Sequence, residues 1–377
     1  MIYLDWAATA VPHEDIILNA CKKASRDFAN PSSKHCMGLK ARTLLEKARS
    51  ETAACLGVKP ETVFFTSGGT EADHIPLFSL LAAHKPCSIA VSTIEHSAVA
   101  EQAKMMERRG YKILKIPATK AGFITPKAVI ETLQEDTAFV SVMAVNNEVG
   151  SIQPIREIGA ALKACSEGRR TIHFHTDAVQ AIGKIPFDLA SLNIHSAAFS
   201  GHKIGAMRGT GLLYLNRKIE AFMRGGGHEG GIRAGTENLA GILSLAECLK
   251  LHSADLEAAL KKASALTGFL MEELQKIEGT EIVPAERVKN PAAYSPWILQ
   301  FACKNMPGEV LVRCLSERGI CISTGSACSS KKNTRPVLDA MNLPPEIRLN
   351  AVRVSVGRTT ALEEIREFIA VLKSVLS

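Results

Sequence analysis

Up to about residue 250, short β-rich runs alternate with stretches of helical spacing, and this alternation limits the fold more than any single motif. "SIAVST", "AFVSVMAVN", "TIHFHTDAV", "SAAFSG" and "GTGLLYL" are rich in residues that suit strands. Apolar residues at helical steps fill several of the intervals. "GLKARTLLEKARSETAACLG" is one such interval, and it ends at Gly57, a residue type that closes helices. "TVFFTSGGTEADHIPLFSLLAAH" reads as a short buried strand, a glycine turn and a helix. Strands alternating with helices specify an α/β domain on a largely parallel sheet. Sites in such domains lie at the carboxyl ends of strands, where polar loops emerge.

Past about residue 250 the pattern changes. A long amphipathic stretch, "ADLEAALKKASALTGFLMEELQKIEG", precedes "WILQFAC", the helical "EVLVRCLSERG" and the strand-like "AVRVSVG", and a closing helix starts near Leu362. We expect a large α/β domain over 13–250 and a smaller α+β domain made of 1–12 and 251–377. A chain of 377 residues can supply both cores.

The net charge of +7 is spread among acids along the chain. With no zinc-finger or RNA-binding signature, this argues for a solvated surface and against a nucleic-acid partner. "MIYLDWAATA" has no basic region of the export type, and no run of 18 apolar residues marks a membrane span. The ten cysteines without an export signal suggest a reducing compartment, the cytoplasm. No CxxC pair is present, so neither a metal site nor a thioredoxin-like motif is expected. Cys314, Cys321 and Cys328 recur at seven-residue intervals but cross a helix, a strand and a loop, so we read no site in them.

Polar residues cluster just after the apolar runs. "TSGGTEAD" puts two glycines and a threonine at a strand-to-helix turn, where free backbone N–H groups suit a phosphate; a plain glycine turn would look the same. "STIEHSAV" ends a strand near His96, and "VNNEVGSIQP" sets Asn146 and Asn147 in a tight turn. "HFHTDAVQA" places Asp177 and Gln180 after a strand, where the aspartate suits a cationic ring nitrogen or a helix cap. "FSGHKIGAMRG" holds Ser200, His202 and Lys203 among small residues. A lysine in a dry or cationic pocket can react with a carbonyl as a free amine.

Singly, each has an ordinary reading as a turn, a cap or a surface residue. Together they match the needs of one cofactor. Pyridoxal phosphate requires an anion cradle, a carboxylate for its ring nitrogen and a lysine for its aldehyde.

On these motifs, with "YLDWAATA", "NPSSKH", "GGGHEGGIRAGTEN", "STGSACSS" and "VRVSVGRTT", the whole chain resembles the class V, fold-type I pyridoxal phosphate enzymes. Within them it looks like a cysteine desulfurase of the iron–sulfur and nitrogen-fixation type, long-loop subgroup. The resemblance implies a large domain with a mainly parallel seven-stranded sheet plus the smaller α+β domain. It assigns Lys203 to the cofactor aldehyde, and Gly69, Thr70, Ser200 and His202 to its phosphate. Thr236 would reach the phosphate of a second subunit, so a homodimer is implied. His96 would stack on the ring and move protons, Asp177 would pair with the ring nitrogen, and Gln180 would meet the phenolic oxygen. Asn147 and Arg358 would hold the carboxylate of L-cysteine, and Cys328 would accept its sulfur as a persulfide while alanine leaves. An acceptor protein, such as an iron–sulfur scaffold, would then take the sulfur.

Cys328 also has a case of its own. It lies in a polar stretch of small residues, with Lys331 and Lys332 following to favour thiolate. Cys55, Cys248 and Cys314 fall on apolar faces, and Cys36 in "SKHCMG" is the other loop thiol of note. Two departures from the family pattern stand out: Gly230 where an arginine commonly follows the glutamate, and Met207-Arg208 where Pro-Lys is usual. A selenocysteine lyase shares the fold, the lysine and the loop cysteine. A non-catalytic relative would share only the fold.

Overall fold

The computed structural model describes residues 1–82, 86–167, 171–325 and 335–376. Its strands, in chain order, are β1 (Ile2–Tyr3), β2 (Val63–Thr66), β3 (Ser88–Ser92), β4 (Lys112–Ile116), β5 (Thr137–Ser141) and β6 (His173–Asp177). They continue with β7 (Ser196–Ser200), β8 (Gly211–Leu215), β9 (Thr280–Val283), β10 (Ile298–Cys303), β11 (Ile320–Cys321) and β12 (Ala351–Ser355).

Seven of them form one sheet in the order β2-β8-β7-β6-β5-β3-β4. The pairs from β7 through to β4 are parallel, and β8 alone runs against its neighbours β2 and β7. β3, β5, β6, β7 and β8 are buried at every position, as a sheet covered on both faces requires. The edge strand β4, "KILKI", is the one that sequence patterning passed over. Its lysines are exposed, and only Ile116 is fully buried.

This topology brings the carboxyl ends of β2, β3, β5, β6 and β7 to one edge. The side chains singled out from the sequence follow those ends.

The second core gathers Leu266, Leu270, Phe301, Phe368 and Leu372 around the antiparallel sheet β12-β10-β9. Ile2, Leu4 and Ala7 belong to this core, although they open the chain. β1 pairs in parallel with β11, and the Ala7 N–H donates to Ser355 Oγ at 2.9 Å. The Trp6 ring lies flat on Gly357, where a Cβ would come within 1.9 Å of it, so only glycine fits there. The first residues are thereby held over the sheet edge, with the carbonyls of Ala7 and Ala8 turned to the site.

Candidate active site

Nine of the twelve residues named above line one cavity: Gly69, Thr70, His96, Asn147, Asp177, Gln180, Ser200, His202 and Lys203. At one wall the helix Gly69–Phe78 begins immediately after β2 and its turn. Its first N–H groups have no partner within the helix, and the dipole there favours an anion. Glu71 reaches back to accept from the Ser67 N–H, which fixes the turn. Gly69 keeps the cradle open on one side, since a Cβ there would lie 2.7 Å from Val179 Cγ2. Ser200, at the end of β7, and His202 complete this wall. Burial pushes His202 down to about 4, with Lys203 adding to it, so the ring is neutral and can bond an anion through N–H.

His96 caps the helix Ser97–Arg108, its Nδ1 accepting from the Ala98 N–H at 3.2 Å. That bond leaves Nε2 as the ring's proton carrier. Burial holds His96 below the ordinary histidine range. Asp177 ends β6 and accepts from the Val179 N–H through Oδ1. Burial raises its carboxyl, while His96 and Lys203 pull the other way. A buried carboxylate so placed calls for a cationic partner in the cavity.

Lys203 stands in the 3-10 turn Gly201–Ile204, closed by Gly205 at φ 76°. Any side chain at 205 would strike His13 and the Val11 carbonyl at 2.7 Å. Lys203 Nζ donates to the carbonyls of Ala7 and Ala8 at 2.8 Å each. The Ala7 carbonyl also accepts from Gln180 Nε2 at 2.9 Å. Gln180 Oε1 in turn accepts from Lys184 Nζ at 2.7 Å. Lys184 was not singled out from the sequence; only its burial marks it.

The two asparagines divide their work. Asn146 Oδ1 accepts from the N–H groups of Glu148 and Val149 and so builds the turn. Asn147 is left on the cavity wall.

Beside Asn147 lies an arginine that was not singled out from the sequence, Arg353. Arg358 does not line this cavity: its guanidinium is taken by Asp255 and by the carbonyl and ring of His252. Arg353 lines it instead. Arg353 is 2% exposed on β12, donates to the Asn147 carbonyl and Asp5 Oδ1 at 2.8 Å each, and has a buried Nε without a partner. Strand register decides between the two: Arg353 lies in the ladder opposite Gln300, whereas Arg358 comes after the strand ends.

Thr236 is exposed and away from the cavity, on a loop tied to the phosphate-side helix by Arg233 Nε donating to Glu71 at 3.2 Å. Cys328, Lys331 and Lys332 lie outside the described residues; Gly325, three positions before Cys328, lines the cavity. Cys36 is exposed at the start of the helix Cys36–Leu56 and does not line it. Gly230 adopts φ 59°, a conformation that costs other side chains energy. The Met207 N–H donates to Ser244 Oγ. The anion cradle, the buried Asp177 and the neutral His96 beside a lysine fit pyridoxal phosphate.

The family model described as aminotransferase class-V matches residues 2–368. The chain is 34% identical to a cysteine desulfurase IscS from Methanosarcina thermophila, over 100% of this chain and 92% of that protein. It is 33% identical to one from Dictyoglomus turgidum, over 100% and 94%. A solved structure of a NifS-like protein superposes with a TM-score of 0.91 at 33% identity, covering 100% of this chain and 99% of that one. The chain therefore belongs to the class-V aminotransferase family and, within it, to the cysteine desulfurases. This is a family of pyridoxal phosphate enzymes. No helix among the described residues is long and apolar enough to cross a membrane.

Proposed function

We propose that this chain converts L-cysteine to L-alanine and passes the sulfur, as a persulfide on Cys328, to an acceptor protein such as an iron–sulfur scaffold. The observation that carries the proposal is the convergence of nine residues, Lys203 among them, from five strand ends on one cavity. When bound, pyridoxal phosphate supplies an aldehyde for amines and a ring that draws electrons from the α-carbon.

This chain's residues do the rest. The N-terminal N–H groups at Gly69 and Thr70, with Ser200 and His202, hold the phosphate. Asp177 holds the ring nitrogen in its cationic form, and Gln180 presents Nε2 to the phenolic oxygen. Arg353 and Asn147 fix the substrate carboxylate, Arg353 taking the role that the sequence suggested for Arg358.

Lys203 would move the proton at the α-carbon, and His96 Nε2 would handle the second proton. The Cys328 thiolate attacks the substrate sulfur: the C–S bond breaks, an S–S bond forms, and the β-carbon takes a proton. Thr236 completes the phosphate site of a second copy, so the working unit is a homodimer. We place the enzyme in the cytoplasm, where free thiols persist.

Alanine formation from L-cysteine plus a thiol reductant, native against Cys328→Ala, tests this. A sharp loss in the variant supports Cys328, equal turnover moves the role elsewhere, and no alanine from the loaded native enzyme overturns the activity. Selenocysteine turning over far better than cysteine would make it a lyase.

A further inference from the structure

Behind the cavity wall, four polar side chains that the proposed reaction does not use form a continuous buried chain. Asp73 Oδ1 lies 3.0 Å from His175 Nε2, His175 Nδ1 is 2.8 Å from Ser196 Oγ, and Ser196 Oγ is 2.7 Å from His173 Nε2. None is more than 6% exposed. His173 and His175 share one face of β6 by the two-residue period, and Ser196 sits opposite His175 on β7. The Phe139 ring stacks on both imidazoles at 5.3 and 6.0 Å between centroids. Asp73 lines the cavity, while His173 is the first residue of β6, at the end of the strand away from Asp177.

We propose that Asp73, His175, Ser196 and His173 form a proton relay through the sheet, with Asp73 a positioning residue that acts on the cofactor through Asp177. Each inner member both donates and accepts, so the chain has two polarities over the same heavy atoms. In the first, protonated Asp73 donates to His175 Nε2, His175 Nδ1–H donates to Ser196, and Ser196 O–H donates to His173 Nε2. In the second, each proton has moved one bond along. Asp73 is then an anion accepting from His175 Nε2–H, Ser196 donates back to His175 Nδ1, and His173 Nε2–H donates to Ser196. The net change is one proton lost: Asp73 gives its proton into the chain, and His173 Nδ1 releases one to a base in bulk solvent. Neither imidazole need carry charge at either end state.

Asp73 faces His175 and Asp177 from β6 and Glu95 from the turn after β3, and it shares the cavity with His96, Lys203 and Arg353. Burial, then Asp177, then Glu95 raise its carboxyl well above the usual range. Burial pushes His175 down to about 3, so its ring is neutral and the Asp73–His175 contact is a hydrogen bond, not an ion pair with an imidazolium. Both shifts favour the first polarity. It leaves Asp177 as the site's anion, without a second negative charge alongside.

This inference rests on the proposed pairing of Asp177 with the cofactor ring. Two-bond proton–nitrogen spectra of the ¹⁵N-histidine-labelled, cofactor-loaded enzyme, from about pH 6 to about pH 10, test it. His173 and His175 should start as Nδ1–H tautomers and switch together to Nε2–H, with the cofactor's visible band moving at the same midpoint. Asp73→Asn should hold both rings in one tautomer throughout and remove that movement of the band. Ser196→Ala should leave His175 switching and His173 fixed. Rings that switch at different midpoints in the native enzyme, or a His173 that still follows in Ser196→Ala, overturn the relay. A joint switch without movement of the band overturns the action through Asp177. The tautomer switch does not need Lys203, so alanine formation retained in Lys203→Ala would overturn the proposed function separately.

Discussion

Lys203 and Lys184 meet the same problem, an amine out of water, in opposite ways. Lys203 is half-buried on the cavity wall and bonded to two backbone carbonyls that can release it. Lys184 is 8% exposed, bonds Gln180 and has no acidic partner among the described residues. The two are linked through Gln180 and the Ala7 carbonyl. Burial, then Lys203 and Arg353, push Lys184 down to about 7. A reactive lysine keeps room and exchangeable partners, and a lysine that fixes another side chain gives both up.

The sharpest break of this comparison is Lys203→Ala. Alanine formation should fall by about 10³-fold or more, the scale of losing a positioned proton-transfer group, in a turnover assay. Lys184→Met should not approach that. The two arginines give the next effect. Arg353→Leu should lower kcat/KM for cysteine by about 10²-fold, two charge-assisted hydrogen bonds being worth at least about 1.5 kcal/mol each. Arg358→Leu should lower it less than about tenfold, and the reverse ranking would return the carboxylate to Arg358.

Lys184→Met then tests the cost of the second lysine. A lysine depressed to about 7 binds fewer protons folded than unfolded, so native stability should rise with pH between about 7 and its unfolded value near 10.5. The penalty is greatest below pH 7, roughly several kcal/mol. Denaturant melts should show Lys184→Met more stable than native at pH 6 and the gap closing as pH rises. A gap that does not change with pH would mean that Lys184 is charged in the fold without penalty. The smallest effect is Cys36→Ser, which should leave alanine formation within about twofold of native.

Much of this was legible from sequence because the chemistry sits where strands stop. β2, β3, β5, β6 and β7 each end in a polar residue, and His96, Asp177, Ser200 and Lys203 are those endings or follow them closely. What was not legible depends on pairing. Nothing in "AVRVSVGRTT" says which arginine turns to the cavity until β12 is registered against β10. Asp73 reads as one more polar residue of a helix, and its contact with His175, 102 positions away, appears only when the helix packs on β6. The "KILKI" edge strand carries surface lysines that blur its period. Lys184 looks like a turn lysine until Trp297, whose indole donates to its carbonyl at 2.6 Å, closes over it.

The bond from Ala7 to Ser355 joins residues 348 positions apart, and Ala7 is also the carbonyl that holds Lys203. During synthesis the residue that positions the amine therefore leaves the ribosome 348 residues ahead of its anchor. Lys203 can emerge and its sheet can form long before the lysine has its final setting. A chain cut short before β12 lacks that anchor, so a truncated product cannot assemble the complete site.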